Sequence, residues 1–139
     1  MSIVDRLRRM LAPRPAVAQE PELIFVRLPE PLPPTERGDR YEDPLDEKLK
    51  LAGIGEVSGG GSSLSELGPD GSRTIEWCGI DVDTYDPRRA LELLRRELPR
   101  LGCRTGTCLD YSLEGVELTD EFDGENWVTG PAEAVRRST

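Results

Sequence analysis

The 139-residue sequence contains no histidine. That excludes Ser-His-Asp and Cys-His nucleophilic sites, histidine general bases and every histidine-bearing zinc site. Lysine occurs twice, at Lys48 and Lys50, and there is no P-loop signature, so Schiff-base and phosphate-loop chemistry have few candidates. Cysteine is scarce too. Cys78, Cys103 and Cys108 are odd in number and form no CxxC, which fits reduced thiols better than a disulfide framework. Arg104 beside Cys103 is a faint sign of an activated thiol. No apolar run is long enough to span a membrane. Ala16-Val17-Ala18 mimics a signal cleavage site, but no continuous apolar region precedes it, so the expected location is the cytoplasm. No motif asks for a cofactor or a metal, and no catalytic constellation is present. The chain reads as a non-enzymatic protein.

What is abundant is acid. Twenty-seven Asp and Glu face 18 Lys and Arg, giving a net charge of −9. Nucleic-acid binding, which draws on a basic face, is disfavoured; a basic protein partner is not. The 16 arginines against two lysines fit a GC-rich bacterial genome. With 36% hydrophobic residues, the length supports one domain with one core.

Residues 1–12 place Ile3, Val4, Leu7, Met10 and Leu11 on one helical stripe with Arg6, Arg8 and Arg9 among the polar positions. This short helix is expected to dock on its own domain or a partner, or to fray; membrane anchoring is the weakest of its options. A linker follows to residue 21. The domain is expected over 22–122. Residues 22–28 predict a strand, and 29–41, with four prolines, a long loop. Asp43-Pro44 and Asp86-Pro87 each open a leucine-striped helix, with Leu45 and Leu49 in the first and Leu91, Leu94, Leu98 and Leu101 in the second. Segments 56–64 and 74–84 predict a hairpin. In 74–84, Cys78, Ile80 and Val82 share one face, and Ile75, Trp77, Gly79, Asp81 and Asp83 the other. Residues 105–112 alternate again, Val116–Leu118 reads as a short return strand, and 123–139 as a tail.

Strand, helix, strand, strand, helix, strand is the split βαβ order. The expected fold is therefore an α+β, ferredoxin-like βαββαβ sandwich, with two helices on one face of an antiparallel sheet. The other face is left open, for a partner, a second copy, or cover by the N-terminal helix and by the tail with Trp127.

Three groups of residues are candidates for chemistry. Gly59, Gly60, Gly61 and Ser62 could cradle a phosphate or line a ligand pocket, although their spacing matches no phosphate motif and no helix follows. Asp81, Asp83 and Glu92 fall at positions 1, 3 and 12 of a calcium loop, but Asp86 occupies the obligatory glycine position. From Thr105 to Glu133 there are eight acids and no base. Within this block Asp110, Glu114, Glu117, Asp120, Glu121, Asp123 and Glu125, with Tyr111 and Trp127 as aromatic anchors, form the expected surface for a basic partner.

The runs 37–46 (RGDRYEDPLD) and 53–61 (GIGEVSGGG), with Gly106-Thr107, resemble a family of small uncharacterised bacterial proteins over roughly residues 22–120. That resemblance implies no activity and no site residue. In size, acidity and fold plan the chain is also similar in character to toxin-neutralising immunity proteins. The leading expectation is an acidic binder of a basic protein such as a toxin. The alternative is a small-molecule-binding regulatory domain that dimerises through its open sheet face.

Overall fold

The computed structural model describes residues 20–64, 67–73 and 75–132. The expected helix over 1–12 lies outside the described residues. The chain builds β1 (Glu22–Leu28), a helical stretch of α1 (Pro34–Arg37), a π turn (Gly38–Glu42) and α2 (Asp43–Ala52), then β2 (Gly55–Leu64), β3 (Ile75–Thr84), α3 (Pro87–Arg100), β4 (Cys108–Leu113), β5 (Val116–Phe122) and β6 (Trp127–Pro131). The fold is α+β, with one open antiparallel sheet in the order β2-β3-β1-β4-β5-β6.

Three expectations are corrected. The sheet has six strands, not the four of the ferredoxin-like sandwich. The tail expected from 123 contains β6, which pairs with β5 from Phe122↔Trp127 to Leu118↔Pro131. The proline-rich loop is helical from Pro34. Prolines hold the chain extended as far as Pro33, but Pro34 sits in the first helical turn, where a missing N–H costs nothing. Asp43 consequently caps nothing, since the backbone on both sides of it is already helical. A proline within a helix clashes with the carbonyl four residues back, which for Pro44 is that of Arg40. The wider π turn at 38–42 lies where that clash would fall. At α3 the expected cap is present: the Asp86 carboxylate accepts from the Arg89 amide at 3.3 Å.

Period-two alternation divides the sheet cleanly. Ile24, Val26 and Leu28 of β1, with Cys78, Ile80 and Val82 of β3 and Leu109 of β4, face the helices and are buried. Leu45 and Leu49 of α2 and Leu91, Leu94 and Leu98 of α3 close over them. Each such side chain, once buried, stabilises by about 1.5–3 kcal/mol.

Polar groups in this layer are all partnered; among the described residues no buried side-chain nitrogen or oxygen lacks a hydrogen bond. Glu30, fully buried, accepts from Tyr41 Oη at 2.5 Å and Arg40 at 3.0 Å. Burial and this bond to Glu30 push the Tyr41 hydroxyl well above the ordinary tyrosine range. Glu97 ties α3 to α2 through Lys48 at 3.3 Å. Arg37 pairs with Glu42 at 2.6 Å and donates to Ser62 Oγ at 3.1 Å, locking the α1–π segment onto β2.

Candidate functional site

Strand register resolves the acidic block into three sets. Asp120, Tyr111 and Trp127 project toward the helices and leave the expected partner surface. Asp120 is fully buried and accepts from Tyr111 Oη, from Thr129 Oγ1 and from Arg95, each at 2.6 Å. The Trp127 indole donates to the Arg95 carbonyl at 2.9 Å and packs on Phe122, so it seals the helix side and does not cover the open face. Burial and the bond to Asp120 raise the Tyr111 hydroxyl above its usual value.

Glu114, Asp123 and Glu125 sit in turns. Glu114, at a φ of 52°, pairs with Arg88 at 3.0 Å across the surface. Asp123 accepts from the amides of Glu125 and Asn126, and these bonds hold its carboxyl below the usual range. It builds the β5–β6 turn.

Asp110, Glu117 and Glu121 remain. They lie on the open face, and β2 and β3 bring three further carboxylates to the same face. Glu56 is opposite Asp83, Gly59 opposite Asp81, Asp81 opposite Phe25, and Phe25 opposite Asp110. Across the strands of this face, six carboxylates (Glu56, Asp81, Asp83, Asp110, Glu117 and Glu121) accompany one arginine, Arg27. The sequence marks Asp81 and Asp83 as metal candidates but does not join them to Asp110. Their alternation with Trp77 and Gly79 was the available signal. No group of three metal-ligating side chains occurs among the described residues.

Phe25 forms a ridge down the middle of the face. Its ring lies over Gly79, where an added Cβ would fall 2.3 Å from it, and meets Trp77 edge to face at 6.2 Å. Toward β2 the ridge drops into a trough of about 400 Å³, bounded by Trp77, Asp81 and Phe25 and floored by Gly61. Toward β4 and β5 it drops into a smaller groove of about 240 Å³ that carries Asp110 and Glu117.

The glycine run thus has two roles. Gly60 faces the helices, and a Cβ there would strike Glu42 and crowd Arg37, so its bareness admits the Arg37–Glu42 pair. Ser62 receives Arg37 on the same side. Gly59 and Gly61 face the open side. The run is ladder-bonded strand rather than a phosphate-cradling loop.

The thiols are withdrawn from chemistry. All three cysteines are free and buried, and burial pushes each up, Cys103 to about 11. The buried Glu30–Tyr41 pair is closed to substrate for the same reason of access. No described helix is long and apolar enough to cross a membrane. The chain matches no family model, no curated protein and no solved structure.

Proposed function

We propose that this is a non-enzymatic binding protein that takes a basic protein partner on its open sheet face. The observation that carries the proposal is the composition of that face: a Phe25 ridge, with Trp77 packed against it, between two carboxylate-bearing grooves. Aromatic anchors ringed by charge are the usual build of an interface that holds a partner by burial and selects it by charge. A toxin-neutralising immunity protein is the concrete version of this reading. We also read the β1-to-β4 portion as a split βαβ unit that β5 and β6 enlarge on one side; the extension widens the acidic face by Glu117 and Glu121. Self-pairing through this face would set carboxylates against carboxylates, which disfavours the dimeric alternative.

The test is capture from native lysate on the immobilised chain, washed at low and then high salt, beside the variant Asp110→Asn/Glu117→Gln/Glu121→Gln. A basic protein held near one-to-one, released by salt and lost by the variant is expected. Equal retention by the variant, or no complex at any salt concentration, refutes the proposal.

A further inference from the structure

We infer that the trough between Trp77 and Asp81 seats an arginine side chain carried by an extended segment of the partner. The inference rests on the binding role proposed above and names the chemistry of what binds.

Its first support is the empty floor. Gly79 is bare because Phe25 lies on it, but a Cβ at Gly61 would meet nothing within 4 Å, so packing does not explain that glycine. A glycine inside a strand weakens it and often marks the close approach of another backbone or a ligand. The second support is the pairing of wall residues. Trp77 offers an indole, and its edge-to-face contact with Phe25 occupies at most one face of that ring. Asp81 supplies a carboxylate on the same side, 3.3 Å from where a Cβ of Gly59 would stand. An arginine side chain suits the two walls, because its stem and guanidinium plane pack on an aromatic face and its edge donates parallel N–H bonds to a carboxylate, so its length can run along the trough between them. A lysine ammonium lacks that planar edge. The third support is position. Among the described strands β2 ends the sheet, and Gly59 to Ser63 carry nothing longer than serine, so a partner strand can run along its outer edge. Side chains of a paired strand alternate between faces, and every second one would then point over the trough.

The two tryptophans make the test specific. In the ¹⁵N-labelled full-length chain, the Trp77 indole reports the trough, while the Trp127 indole N–H is committed to the Arg95 carbonyl. The probe is a blocked hexapeptide, acetyl-Thr-Arg-Thr-Arg-Thr-Arg-amide, compared with its lysine counterpart and with N-acetyl-arginine amide. The arginine peptide is expected to move the Trp77 signal and leave Trp127 in place. It should bind several-fold more tightly than the lysine peptide and than the single blocked amino acid. Asp81→Asn should weaken it about five- to tenfold, the size of one desolvated cation–π or ion-pair contact. Gly61→Val should abolish the Trp77 shift without lowering thermal stability, since its Cβ has room and valine favours strand. An unmoved Trp77 signal, or undiminished binding to Gly61→Val, overturns the inference. So does a Trp77 shift with protein concentration alone, which would give the trough to a second copy. If peptides still perturb amides around Asp110 and Glu117 in those cases, the basic-partner role stands without the arginine seat. If no basic peptide perturbs the open face, that role falls as well.

Discussion

Asp120→Asn is expected to destabilise the protein by about 2–3 kcal/mol. Asp120 Oδ1 accepts from Tyr111 and Thr129, and Oδ2 accepts from Arg95, all at 2.6 Å. Asparagine keeps one oxygen for the two hydroxyls but turns an amide donor toward the guanidinium. Removing one partner of a buried ion pair costs about 3–5 kcal/mol. The Arg95 side chain is 34% exposed and can swing to water, which places the loss at or below the lower end of that range. A single domain has roughly 5–15 kcal/mol in hand, so the loss is a large fraction of the total. The melting temperature should fall by roughly 8–15 °C. Urea unfolding followed by circular dichroism, with Glu117→Gln alongside, is the assay. The open-face variant should stay within about 0.5 kcal/mol of the parent. An Asp120→Asn variant equally close to the parent would mean that Asp120 is a surface acid after all.

Gly79→Ala should cost about 1–3 kcal/mol because its Cβ would meet the Phe25 ring at 2.3 Å, and Phe25→Leu should recover part of that loss; additive effects in the double variant would refute the contact. Trp127→Phe should lose about 1–2 kcal/mol, one hydrogen bond to Arg95 plus contact with Phe122, and melting curves unchanged from the parent would show that β6 does not fasten the sheet. Burial raises the Glu97 carboxyl, but Lys48, Arg96 and Arg100 outweigh it and hold it below the ordinary value. Its contribution is therefore present above the unfolded value, about 4.3, and lost as pH falls through the folded one. Glu97→Gln should flatten the acid limb of a stability–pH curve, and an unaltered limb would refute the assignment. A thiol reagent at pH 8 should label the native chain slowly and all three cysteines quickly in denaturant, because Cys103 keeps its proton to about 11 and all three are buried; one cysteine labelled at once in the native protein would contradict this.

What was readable in the sequence is what period and turn chemistry encode locally. The 3, 4, 3 spacing of Leu91, Leu94, Leu98 and Leu101 marks α3, and the alternation through Trp77, Gly79, Asp81 and Asp83 marks both the strand and its open face. The misses arise where local rules compete. Four prolines over 29–34 argue for loop, yet the last of them starts a helix, because proline is favoured at the first helical position and damaging only further in. In β6, Trp-Val-Thr-Gly-Pro is too short and too broken to be seen as a strand, and it forms because β5 offers it an edge.

The site was half legible for a different reason. Charge density along the chain cannot tell Asp120 from Glu121; a one-residue step in β5 puts the first into a network with Arg95, 25 residues away, and the second on the open face. Asp81 and Asp110 are equally unrelated in sequence. They belong to one surface because β1 lies between β3 and β4, so that Phe25 is the register partner of both. A central strand that carries a large apolar residue between two acids is an unfavourable place to leave uncovered, since the aromatic ring stays in contact with water while the carboxylates repel one another. A cationic partner relieves both costs at once. That relief, rather than the acidity of any single segment, is the physical reason the proposed partner is placed on this face.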